Sequence, residues 1–148
     1  MHNGQIGGYA RVRRTLEAQL PERLYMARKG ATDSELLFLM ALGHIERGEP
    51  VGRAVKGVFD DTVALMRERG IDEPLRFSAA LSDGERLHVF RLASDGKPPS
   101  LYVRTGPAAT VVASEPLDDL QGDWRPVPSG GVLSFDRPTR SMADTCFG

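Results

Sequence analysis

One cysteine, Cys146, is all that this 148-residue chain contains. A single thiol excludes an internal disulfide and any metal cluster built on cysteines. Such sparse cysteine suits a reducing compartment, so a cytoplasmic protein is expected. Long apolar runs are also missing. No stretch approaches the ~18 residues that would cross a bilayer, and no basic segment followed by an apolar one marks a secretory leader. Neither charge is in excess: 19 Lys and Arg stand against 20 Asp and Glu, for a net charge of -1. That balance signals neither a nucleic-acid-binding face nor a charged tail. The three histidines, His2, His44 and His88, show no metal-ligand spacing. His44 and His88 read as structural side chains. Asp118, Asp119 and Asp123 fit no calcium-loop template and read as a solvated acidic loop. Glycine-rich pieces such as Ser129-Gly130-Gly131 do not follow a strand and open a helix, as a phosphate loop must. No metal and no cofactor are expected, and the length favours one domain.

The residues that are present divide into two textures. Up to Gly70, apolar positions recur at helical spacing. Tyr9, Val12, Leu16 and Leu20 mark a first helix. Pro21 opens a short second one reaching Lys29, with Gly30 as its cap. Ser34 to Arg47 forms a third helix so uniformly apolar that it must be buried on most sides. A fourth runs from Val51 to Arg69, with Gly70 closing it. After Pro74 the spacing alternates. Leu75–Ser82 and Arg86–Ala93 are expected as a hairpin around a two-residue Asp83-Gly84 turn. Strands are also expected at 101–105, 110–114 and 131–135, with a short one near Trp124–Val127. Segregated helices and antiparallel strands predict an α+β fold. Five short strands and three helices are a thin cover for the apolar helix, which hints at a missing sheet. Residues 137–148 are expected to form a loose tail.

Two stretches carry chemistry. In His2-Asn3-Gly4 an asparagine carboxamide and the next backbone N–H can point at one spot, as an oxyanion site requires, and glycine allows close approach. On local grounds alone Asn-Gly is also a common turn pair. In Thr32-Asp33-Ser34-Glu35, Thr32 and Glu35 have the spacing of a capping box. Asp33 then takes the first helical position, where the helix dipole favours a negative charge. The cap accounts for Thr32 and Glu35 but does not require Asp33.

Taken in order, MHNGQIGGYARVRRTLE, ATDSELLFLMAL and VVASEPLDD resemble the class II glutamine amidotransferase domain. That family consists of N-terminal-nucleophile hydrolases with a four-layer αββα sandwich. The likeness extends to small bacterial amidotransferase-like proteins and to the γ-glutamyl amidohydrolase of the ergothioneine pathway. It covers residues 1–136. The resemblance implies that Asn3 and Gly4 form an oxyanion hole and that Asp33 binds the α-ammonium of glutamine or a γ-glutamyl group. It assigns no catalytic role to Ala113-Ser114-Glu115-Pro116. The family's nucleophile is an N-terminal Cys whose own α-amine is the base. It lies ahead of the HNG stretch, in a segment that also holds an Arg for the substrate carboxylate. These 148 residues contain neither. The expectation is therefore the C-terminal part of a γ-glutamyl amide hydrolase, truncated and inactive alone, taking a small γ-glutamyl substrate and neither nucleic acid nor membrane. Two other readings stand beside it. One is a non-catalytic remnant that binds γ-glutamyl ligands, self-associates or pairs with a complementing chain. The other is an unrelated α+β domain in which HNG is a turn and TDSE only a cap.

Overall fold

The computed structural model describes residues 1–106, 109–117 and 123–136. The tail at 137–148 with Cys146, and the pair Asp118 and Asp119, lie outside them. The elements run β1 (His2–Ile6), α1 (Tyr9–Glu17), α2 (Glu22–Met26), α3 (Asp33–Glu46), α4 (Val51–Glu68), β2 (Leu75–Ser82), β3 (Arg86–Ala93), β4 (Tyr102–Thr105), β5 (Thr110–Ala113), β6 (Arg125–Pro126) and β7 (Gly131–Asp136). The order of helices, then antiparallel strands, matches the periodicity of the sequence, with one addition in front. The HNG stretch is not a turn. It lies in β1, which pairs antiparallel with β2 over His2↔Ala79 to Ile6↔Leu75.

Four strands form one sheet in the order β1-β2-β3-β7, and β5-β4-β6 form a second. Side chains alternate across each strand. Ile6, Leu75, Phe77, Ala79, Phe90 and Leu92 therefore join the helices in one core. The opposite face of the first sheet supplies Val89, Leu87, Leu133 and Phe135, which pack on Leu101, Val103, Val112 and Val127 of the second sheet and its flanks. The described residues thus form three layers: helices, sheet, sheet. Phe90 is fully buried, and burying a side chain of that size stabilises the fold by about 1.5–3 kcal/mol.

Most of the apolar α3 is covered by the described elements. Helices α1, α2 and α4 and strand β1 all pack against it, burying Leu36, Leu37, Leu39, Met40 and Ala41. Its large exception is Phe38, 49% exposed. Two other expectations change. The α2 helix stops at Met26, well short of Lys29. The loop between β2 and β3 is longer than a two-residue turn, since the last pair is Ser82↔Leu87. There the Asp83 carboxylate accepts from the N–H groups of Glu85 and Arg86 and holds the wider loop. His44 and His88 are structural, as expected: His44 meets Glu49, and His88 meets Ser134 and Asp83. No helix among the described residues is long and apolar enough to cross a membrane.

Candidate functional site

The site is built where β1 meets the N-terminus of α3. Thr32 caps α3, its hydroxyl accepting from Glu35 N at 3.2 Å. The reciprocal half of the capping box is not made. Instead the Glu35 carboxylate accepts from Lys29 N at 2.6 Å and Gly30 N at 2.8 Å. Those backbone bonds hold its carboxyl below the usual range and tie down the loop that delivers Asp33.

Asp33 begins the helix, as its spacing predicts. Its Oδ2 accepts from Ile6 N of β1 at 2.9 Å, and its Oδ1 from Ser34 N at 2.8 Å. No Lys or Arg among the described residues pairs with it. A carboxylate offers about four lone-pair sites, so two backbone bonds leave room for a cation. Asp33 is half-buried, which makes an approaching ammonium worth more than it would be in open solvent.

The strand sets which way β1 points its backbone. Met1 O accepts from Ala80 N, and Gly7 N donates to Pro74 O. Odd residues of β1 therefore turn their amides towards β2 and even residues turn them away, because bonding alternates along an antiparallel strand. Ile6 N obeys this rule by bonding Asp33 instead of β2. Gly4 N–H faces the same open side, about 6–7 Å back along the strand. The Asn3 side chain is exposed and has no hydrogen-bond partner among the described residues. It lies on the sheet face opposite His2 and Ile6. Gly4 has φ +148°, and a Cβ there would lie 1.9 Å from the Arg76 carbonyl oxygen. Only glycine fits, so the requirement at this position is steric, whatever the chemistry.

Sequence reasoning passed over two neighbours of this pair. His2 Nδ1 lies 2.6 Å from Ser34 Oγ, and the ring rests against Phe77 with centroids 4.8 Å apart. Burial pushes the imidazole below its usual pKa, with the Asp33 charge opposing. The available signal was adjacency, since His2 precedes Asn3 and Ser34 follows Asp33. Near the same helix end, Arg28 pairs with Glu17 at 2.8 Å, and burial raises the pKa of the Tyr9 hydroxyl.

A pocket of about 370 Å³ opens on the helix side of the first sheet. Leu37, Phe38, Val58, Phe59, Phe77 and Phe90 are among its walls, and no charged side chain lines it. His2 and Ser34 also line it, so the pocket adjoins the polar groups where β1 meets α3. No group of His, Cys, Asp and Glu among the described residues could hold a metal ion.

No protein-family model matches the sequence. The chain is homologous to a probable glutamine amidotransferase, DUG3, of Saccharomyces cerevisiae, with 24% identity over 177 residues, covering 94% of this chain and 50% of that protein. It spans about half the length of that curated relative. A solved glutamine aminotransferase class-II domain protein from Silicibacter pomeroyi superposes with a TM-score of 0.78 at 37% identity. That match covers 93% of this chain and 66% of the other.

Proposed function

We propose that these residues form the glutamine-recognising part of a class II amidotransferase-like site acting on γ-glutamyl amides. The observation that carries the reading is Asp33. It is a half-buried carboxylate at a helix start, oriented by two backbone bonds and unpaired by any cation among the described residues. Its open lone pairs suit the α-ammonium of a γ-glutamyl head. Gly4 N–H, on the same side of β1, and the free Asn3 carboxamide would stabilise the oxyanion that forms when the γ-carbonyl is attacked. In the hydrolysis this implies, a thiolate adds to that carbonyl and the amide C–N bond breaks. The amine leaves with a proton, and water then cleaves the thioester. None of the described residues carries a thiol, because Cys146 is the sole cysteine. The full fold would be the four-layer αββα sandwich of N-terminal-nucleophile hydrolases, of which three layers are described.

A nucleophile is not replaced by the groups around it, and binding plus oxyanion stabilisation leave only a small residual rate. The 148-residue chain is therefore expected to bind L-glutamine while releasing no glutamate above the buffer rate. A glutamate-coupled assay beside a binding titration tests this. Turnover by the chain would overturn the assignment of roles.

A second reading, that the chain pairs with another polypeptide, is favoured by one observation. Among the described residues no strand pairs with the outer edge of β1, and Phe38 of α3 is exposed in the helix layer. Unpaired edges invite further strands. Gel filtration separates the readings, since a compact monomer that binds glutamine needs no partner.

A further inference from the structure

β1 is joined to the start of α3 at two places, and these bracket the two candidate oxyanion donors. On one side of Asn3 and Gly4, Ile6 N donates to Asp33 Oδ2 at 2.9 Å. On the other side, His2 Nδ1 meets Ser34 Oγ at 2.6 Å. Ser34 Oγ in turn lies 3.5 Å from Asp33 Oδ1, so the second tie leads to the same carboxylate as the first. The polarity of this chain follows from its far end. A carboxylate can only accept, and a serine hydroxyl has one hydrogen to give. If Ser34 donates to Asp33, His2 must donate from Nδ1–H to Ser34. The other arrangement would leave a proton on Nε2, an atom buried without a partner. An orphaned buried N–H is rarer and costlier than an unsatisfied lone pair. The Phe77 ring, tilted 35° against the imidazole, packs on it in this place.

We propose that His2 and Ser34 are positioning residues: as an Nδ1–H donor chain ending on Asp33, they staple β1 to α3 and set the spacing between Asn3-Gly4 and the ammonium-binding carboxylate. The functional half of this proposal rests on the amidotransferase reading, whereas the staple itself does not. Gly4 cannot supply stiffness from a side chain of its own. Without the His2–Ser34 bond, the leading half of an edge strand hangs on β2 alone, and the two recognition elements lose their register.

The test uses the 148-residue chain with His2→Phe, which keeps a ring against Phe77 but removes the bond, Ser34→Ala, and Ser34→Thr, which keeps the hydroxyl. Amide hydrogen exchange at Asn3, whose N–H faces β2, should quicken about tenfold in the first two variants and return to the wild-type rate in Ser34→Thr. The double variant His2→Phe/Ser34→Ala should be no worse than either single one, since both break one bond. The dissociation constant for L-glutamine should weaken about tenfold in the same two variants and recover with Ser34→Thr. The histidine 15N shifts of the wild type should show Nδ1 protonated. Unchanged exchange at Asn3, or a proton on Nε2, overturns the staple. Faster exchange with unchanged glutamine affinity overturns its role in positioning. A wild type that does not bind glutamine sinks the amidotransferase reading, and exchange still decides the staple.

Discussion

Gly4→Ala is expected to cost about 3 kcal/mol of stability, combining overpacking with a strained backbone. The added Cβ would sit 1.9 Å from the carbonyl oxygen of Arg76. That oxygen belongs to β2, which is held between β1 and β3, so it cannot yield without disturbing the sheet. The backbone at Gly4 is also in a region that L-residues rarely adopt, with φ +148°. A loss of that size is large against the ~5–15 kcal/mol that holds a typical domain together. Gly57→Ala is the control. Gly57 lies inside α4, and a Cβ there meets nothing within 4 Å. Alanine is the better helix former, so this change should stabilise by roughly 0.5–1 kcal/mol. Urea unfolding reads both effects as shifts in midpoint at constant slope. A Gly4→Ala protein within 0.5 kcal/mol of wild type would show that β1 does not follow this path.

Asp33→Asn and Asp33→Ala should both abolish tight glutamine binding, yet differ in stability. Each removes the charge that would face the substrate ammonium. Hydrogen bonds to charged groups are worth about 1.5–3 kcal/mol, so the dissociation constant should rise by roughly 10- to 150-fold. Alanine also strips the acceptors from Ile6 N–H and Ser34 N–H. Ile6 is only 3% exposed, and leaving a buried N–H unpaired costs about 1–3 kcal/mol. Asparagine keeps one carbonyl oxygen and should recover part of that loss. If Asp33 only ties β1 to α3, then Asp33→Asn should bind glutamine nearly as wild type does. A calorimetric titration of the three proteins, with their melting points, separates the two roles.

Local chemistry explains why most of the chain was readable in advance. Each long helix carries an apolar stripe or an all-apolar run of its own, and Thr32 and Pro21 mark helix starts through effects that act within one turn. The position of Asp33 at the head of α3 followed from capping alone. β1 was not readable in that way. Five residues with three polar side chains and a glycine have no periodicity strong enough to report a strand, and their pairing partner, β2, lies some seventy residues away at Leu75–Ala79. The cover over the third helix is not legible in one dimension, because its neighbours come from distant segments. Once folded, α1, α2 and α4 enclose it.

The sequence by itself determined the elements, the cap at Thr32, the charge at Asp33 and the absence of any thiol but Cys146, since these depend on residue identity and neighbours within a turn. Only the tertiary structure decided the partition of the strands, with β7 beside β3 while β4, β5 and β6 form a separate sheet. It also decided that Gly4 must be glycine because of Arg76, and that Ile6 N–H and Ser34 N–H share the Asp33 carboxylate. Strand pairing and long-range hydrogen bonds join residues far apart in the chain. Their partners are selected by shape and by the need to satisfy buried polar groups, and a local sequence pattern records neither.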